Sequence, residues 1–149
     1  MKPEDFQKLL RKNTNQIEKL FTNEIQDIVG IEAKNHFKKG FASSNQGFTD
    51  LYLEKWQART TKYKTERQNN KPVLTKSGDL KDSIDYKKEP GVVIIFSDLP
   101  YAKVHNEGGH AGRGKGFEMT KREFIGRSRA LNERILKKCD GLIKKILKP

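Results

Sequence analysis

One stretch constrains this chain more than any other. It runs from Leu74 to Phe124: LTKSGDLKDSIDYKKEPGVVIIFSDLPYAKVHNEGGHAGRGKGFEMTKREF. At its centre Val92-Val93-Ile94-Ile95-Phe96 is apolar throughout and mostly β-branched, the clearest strand in the sequence. Residues 84–88 alternate before it and Glu89-Pro90-Gly91 is a turn, so the two runs predict an antiparallel hairpin. Phe117 and Met119 alternate with polar neighbours, which predicts a third strand that closes the sheet, with Phe124 and Ile125 following it. Long helical patterns lie on either side. The expected fold class is therefore α+β, with N-terminal helices and a C-terminal helix packed on a small antiparallel β-sheet.

Residues 3–39 read as helix. Pro3 suits a first turn, and Glu4 and Asp5 sit at the positive end of the helix dipole. Phe6, Leu9, Leu10, Ile17, Leu20, Phe21, Ile25 and Ile28 recur at spacings of three, four or their multiples, the signature of core packing. Gly30 is a candidate to divide this run in two, the second helix carrying Val29, Ala33 and Phe37, and Gly40 to end it. At the other end of the chain, Gly126-Arg127-Ser128 is a boundary with Ser128 as N-cap. Leu131, Ile135, Cys139, Leu142, Ile146 and nearby Leu147 then make a helical stripe, and Pro149 closes the chain. Arg127, Arg134, Lys137, Lys138, Lys144 and Lys145 lie on the opposite face, either solvated or turned towards DNA.

Between these limits the local signals are shorter. ASSNQG, residues 42–47, is a loop, followed by Phe48 to Trp56. From Glu54 to Lys76 basic residues dominate and apolar ones are few after Trp56, which predicts an extended, partly mobile basic connection over 57–73. Trp56, the single tryptophan, is expected to pin this connection to the body. Ser77 is the expected N-cap of a short helix, with Asp79 near its dipole and Leu80 and Ile84 pointing together into the core. Ser97-Asp98-Leu99-Pro100 ends the strand, and Tyr101-Ala102 with Val104-His105 reads as one helical turn. The loop GGHAGRGKG, residues 108–116, holds five glycines with Arg113 and Lys115 and has little to bury.

Composition narrows the class. At 149 residues the chain suits one domain, and such a chain buries roughly 68–70% of its unfolded surface. Only 34% of it is apolar and its mean hydropathy is −0.86, so the core is lean or is completed by partner subunits. The net charge of +12 favours contact with a polyanion, nucleic acid or an acidic protein face, although a lysine-rich soluble surface has the same balance. One cysteine, Cys139, allows no internal disulfide, which fits a reducing compartment. No run approaches the length of a membrane span and the start has no signal-peptide core, so the expected place of synthesis and use is the cytoplasm.

Candidate chemistry is sparse. His105, Asn106, Glu107 and His110 invite a metal or nuclease reading, but a structural zinc site needs about four ligands, and Asp98 and Glu118 add no spacing logic. A buried, hydrogen-bonded His105 is the plainer expectation. GRGKG is not a P-loop, because Lys115 is followed by Gly116 and a strand-like run rather than by Ser or Thr and a helix. It reads instead as a flexible hairpin-like arm. No catalytic residue, cofactor or metal is expected. Arg113 and Lys115, with Lys62, Lys64 and Arg67, are the candidates for DNA or partner contact.

The order of four blocks resembles the phage virion-morphogenesis, or tail-completion, family typified by the tail-completion proteins of Mu-like phages. The blocks are Trp56; Leu74, Ser77-Gly78, Leu80 and Ser83-Ile84; Tyr101-Ala102, His105 and Gly108-Gly109; and Arg122, Phe124-Ile125-Gly126 and Ser128. Ser77 stands where the family's pattern has threonine, and Thr120-Lys121 stand where a proline usually precedes the arginine. The resemblance covers roughly residues 20–148. It implies a non-enzymatic, ring-forming structural subunit that completes the tail or joins head and tail. Its partners would be copies of itself, tail and neck or connector proteins and packaged DNA, with no membrane. The protein would sit in the host bacterial cytoplasm during assembly and later in the virion tail or neck. Tyr101, His105 and Arg122 would then be architectural, Arg122 pairing with an acidic group or a backbone carbonyl. The competing reading is a basic nucleic-acid-binding protein, at its sharpest a small nuclease using His105.

Overall fold

The protein is described by a computed structural model over residues 3–42, 55–58 and 72–146. Phe48, Lys62, Lys64, Arg67, Leu147, Pro149 and most of the basic connection 57–73 lie outside the described residues. So do the side chains of Phe6, Leu9, Leu10, Phe21 and Ile146.

Helix α1, Pro3–Lys19, runs through a π-helical turn, Leu20–Glu24, into α2, Ile25–Lys39, and Gly40 follows as the C-cap. The expected break at Gly30 does not occur. Gly30 is buried inside α2, and it is glycine for reasons of space: a Cβ there would fall 2.2 Å from Tyr86 Cδ2. The irregularity lies upstream in the π turn, where Thr22 Oγ1 donates to the Glu18 carbonyl at 2.9 Å, a side-chain bond that competes with the helical ladder. Leu20, Ala33 and Phe37 are buried as their spacing predicts. Ile17 is not, at 40% exposure, and every residue from 11 to 19 is exposed with it.

Strands β1, Asp85–Glu89, and β2, Val92–Phe96, pair antiparallel around Pro90-Gly91, with Tyr86 opposite Ile95 and Lys88 opposite Val93. Gly91 adopts φ 73°, the left-handed backbone this tight turn requires. Strand alternation sets Tyr86, Lys88, Val93 and Ile95 on the face towards α2. There the Tyr86 ring rests on Gly30, and Lys88 Nζ donates to Asp27 Oδ1 at 2.7 Å. Gln26 Nε2 donates to the carbonyls of Glu89 at 2.7 Å and Val92 at 3.3 Å, fixing the hairpin's turn to α2.

The short helix α3, Asp79–Asp82, precedes this hairpin. Its N-cap is Gly78, at φ 96°, and not Ser77, whose Oγ stands 3.5 Å from the Asp79 N–H. The left-handed turn at Gly78 places Ser77 one residue outside the helix, beyond good capping reach. Leu80 and Ile84 are buried together as expected.

After β2 come α4, Ala102–Glu107, then β3, Gly109–Ala111, and β4, Phe117–Met119. The third strand expected at Phe117–Met119 does not close the first sheet. It pairs with β3, His110 opposite Glu118, as a separate two-stranded arm. The glycines explain the difference: Gly112, Gly114 and Gly116 all have positive φ, so the chain turns back on itself.

Helix α5, Arg129–Ile146, lies against α2. Ser128 is 3% exposed and its Oγ accepts from the Leu131 N–H at 3.1 Å, the expected N-cap. Part of the basic face of α5 is paired within the chain. Lys138 and Arg134 both pair with Glu32, and Arg134 Nη2 donates to His36 Nδ1 at 2.7 Å. Glu32 and His36 ascend along α2 while Lys138 and Arg134 descend along α5, so the two helices run antiparallel. Ala33, Phe37, Phe41, Trp56, Val73, Leu80, Ile84, Ala102, Phe124 and Leu131 form the shared core.

Candidate interaction site

Residues of three of the sequence blocks meet at an irregular segment, residues 121–126, held from two sides. On one side is Trp56, 5% exposed, whose Nε1 donates to the Glu123 carbonyl at 2.7 Å. Its ring meets Phe41 edge to face at 5.1 Å, and Phe41 meets Phe124 at 5.7 Å. Arg122 Nε donates to the Gln57 carbonyl at 3.3 Å, which ties the two segments again.

On the other side is α4. The Arg122 N–H donates to the His105 carbonyl at 2.8 Å. Asn106 does most of the holding. Its Oδ1 accepts from the N–H groups of Phe124 and Ile125, both at 2.9 Å, and its Nδ2 donates to the Ile125 carbonyl at 3.1 Å. An amide is suited to this task because it carries donor and acceptor together and can satisfy an extended backbone that no strand pairs. The four blocks do not include Asn106, and its only sequence signal is an amide directly after His105. Gly108, φ 78°, ends α4, and a Cβ there would lie 3.1 Å from the Lys121 N.

The remaining block residues serve the same junction or lie apart from it. Leu80, Ile84, Ala102 and Phe124 are in the core and Leu74 packs against it. Ser83 Oγ donates to the Leu80 carbonyl at 2.9 Å and lies 2.7 Å from Ser97 Oγ, joining α3 to the end of β2. Tyr101 is 38% exposed and stacks edge-on with the His105 ring at 5.8 Å. Gly109 has φ 110° in open space, and Gly126 is half-buried. Arg113 and Lys115 are exposed at the end of the β3–β4 arm, away from the junction.

His105 departs from expectation. Its Nδ1 is buried and, among the described residues, has no hydrogen-bond partner. Burial, with Arg122 beside it, holds the imidazole below its ordinary range, so the ring is neutral at pH 7. His110 is on the other hairpin, its Nδ1 3.4 Å from Glu118 Oε1. Among the described residues no three His, Cys, Asp or Glu side chains converge as metal ligands. Burial raises the Cys139 thiol, which disfavours the nucleophilic thiolate. Among the described residues no helix is long and apolar enough to cross a membrane.

The outward face of the β1–β2 hairpin is uncovered among the described residues. Val92, Ile94 and Phe96 share it, with Val92 52% and Phe96 37% exposed. Phe117 at 56% and Leu136 at 68% are further large apolar side chains left in solvent.

Among families of known proteins, a model described as the phage virion morphogenesis family matches residues 54–144, more than half of the chain. It covers the junction, both hairpins and most of α5. No curated protein and no solved structure matches the chain.

Proposed function

Because the chain belongs to the phage virion morphogenesis family, we propose that it is a ring-forming subunit that completes the tail or the head–tail neck of a phage or prophage particle. The family gives the coarser statement, a structural role in building the virion. Its finer form is supported by one observation: in the apolar row Val92, Ile94 and Phe96, on the hairpin face turned away from α2, Val92 and Phe96 are exposed and Ile94 is only half-buried among the described residues. Such a face is stabilised by a neighbour, and in a particle the neighbours are further copies, tail proteins and neck or connector proteins. In this reading the junction at residues 121–126 is architectural, and it keeps the two hairpins in fixed relation so that assembly surfaces are presented together. The protein accumulates in the host cytoplasm and is then carried in the tail or neck.

The nuclease reading of His105 gains nothing from its surroundings. Its ring is packed against Tyr101, and the nearby Arg122 opposes a metal cation. Absolute mass by light scattering tests the assembly role, over a range of concentrations and after addition of purified tail and neck proteins. A discrete ring, alone or on addition of a partner, is expected. A chain that stays monomeric with every partner overturns the reading.

A further inference from the structure

The tip of the β3–β4 arm has a backbone arrangement that the assembly role does not use. Positive φ values at Gly112 (96°), Gly114 (66°) and Gly116 (53°) alternate with negative ones at Arg113 and Lys115. Glycines in this conformation let a tight turn expose its backbone N–H groups, and turns that do so can bind anions. Gly116 donates its own N–H to the Arg113 carbonyl at 3.2 Å, which closes the turn. Among the described residues the N–H groups of Arg113, Gly114 and Lys115 have no acceptor. Gly116 also fits closely: a Cβ there would fall 2.3 Å from His110 Nε2 and 2.5 Å from the Ala111 carbonyl, so the tip is folded tightly onto its own strand.

The side chains agree with the backbone. Arg113 and Lys115 flank Gly114 at the tip, both exposed, and among the described residues neither forms an ion pair. The acidic group nearest in sequence, Glu118, faces His110 further down the arm. We propose that residues 112–116 bind a backbone phosphate of nucleic acid, the three N–H groups holding the phosphate oxygens while Arg113 and Lys115 contact that phosphate and its neighbour. The net charge of +12 brings a polyanion to the surface, and the tip gives it one place to dock. This inference is independent of the family reading, and its failure leaves the assembly role as it stands.

The test uses the full chain and a fluorescein-labelled duplex DNA of arbitrary sequence, with anisotropy read across a salt series. The Arg113→Gln/Lys115→Gln double variant is expected to reduce the slope of log affinity against log salt by about 2, roughly one for each phosphate no longer neutralised. Lys137→Gln/Lys145→Gln removes the same charge from α5 and is expected to change the slope much less. Gly114→Ala, where φ forbids an easy side chain but nothing lies within 4 Å, is expected to weaken binding several-fold with the slope kept. Gly91→Ala carries the same kind of strain in open space at the other hairpin and is expected to bind as the parent does. Absence of duplex binding by the parent chain overturns the proposal. So does an equal slope change in the α5 variant, or parental affinity in Gly114→Ala. Thermal melts of each variant establish that the body of the protein is intact.

Discussion

Gly30 lies directly beneath the ring of Tyr86: a Cβ on Gly30 would be 2.2 Å from Cδ2, 2.3 Å from Cε2 and 2.6 Å from Cγ. Helix α2 and the β1–β2 hairpin approach each other as closely as backbone and ring allow. The cost of a glycine in a helix, up to about 1 kcal/mol relative to alanine, is accepted for this contact.

Gly30→Ala is accordingly expected to destabilise the protein by about 1–3 kcal/mol, since one methyl must displace an aromatic ring. In a chain of this size that lowers Tm by about 2–4 °C per kcal/mol. With Tyr86→Ala already present the sign reverses, because only helix propensity remains and alanine gains about 0.5–1 kcal/mol. Denaturant melts of the four-member cycle check this. Strictly additive losses would show that the two residues do not meet.

Asn106→Ala is expected to cost about 2–4 kcal/mol, because the N–H groups of Phe124 and Ile125 lose their shared acceptor. Asn106→Asp keeps that acceptor and loses only the donor to the Ile125 carbonyl, so its cost is smaller at neutral pH. Urea titrations of both variants measure the difference. Equal losses would mean that shape, and not hydrogen bonding, is what the amide provides.

Stability should fall in two stages as acid is added. The folded-state pKa of His105 lies below its ordinary 6.5, so the unfolded chain takes up a proton first and stability is lost as pH drops below about that value. Glu32 is held below its ordinary 4.5 by the hydrogen bond from Lys138, opposed by burial, with Lys138, Arg134 and Lys39 adding charge. Asp85 is held below 3.8 by hydrogen bonds from Lys34 and the Tyr86 N–H. Their contributions are present above those values and are lost at lower pH. The Asp85 carboxylate is half-exposed, so its part of the lower stage should be shallow and should shrink in salt, whereas Glu32, 16% exposed between Lys138 and Arg134, should be screened less. His105→Gln is expected to remove the upper stage and leave the lower one, read as Tm against pH.

Trp56 provides a built-in probe. It is the single tryptophan and is 5% exposed, so its emission should be blue-shifted in the native state and should move red on unfolding. Trp56→Phe keeps an aromatic ring beside Phe41 but leaves the Glu123 carbonyl without its donor, at a cost of about 1–2 kcal/mol. Trp56→Ala should cost about 3–5 kcal/mol. If Trp56→Phe melts like the parent, the carbonyl finds water instead.

Much of the fold was legible because local chemistry decides it. Val92 to Phe96 had no other conformation to prefer, Pro90-Gly91 had to turn, and Ser128 capped the helix its position announced. What failed was decided at a distance. Gly30 reads as a helix breaker until Tyr86, 56 positions later, is seen to need the room. Phe117 and Met119 have the right alternation for a strand, but alternation does not name the partner, and the left-handed glycines chose β3. Ser77 and Gly78 are adjacent, and only the backbone angle shows which one caps α3. The junction was half visible. Trp56, Arg122 and Phe124 were marked by the blocks, whereas Asn106 was overshadowed by its histidine neighbour. Glu32 carries no sequence signal, and its role comes only from Arg134 and Lys138, which reach it from the other end of the chain.

The π turn at Leu20–Glu24 has a consequence for how the N-terminal helix is aimed. A π turn carries one residue more than the α-helix needs to cover the same rise, and one residue is worth about 100° of rotation. A face traced along α2 therefore does not continue straight along α1 but is offset around the axis, as on a shaft cut and rejoined with a twist. Removing a single residue from this turn is expected to rotate α1 about its own axis and to re-seat Leu20, which the turn buries. Which face α1 presents is thus written in the five residues of the turn.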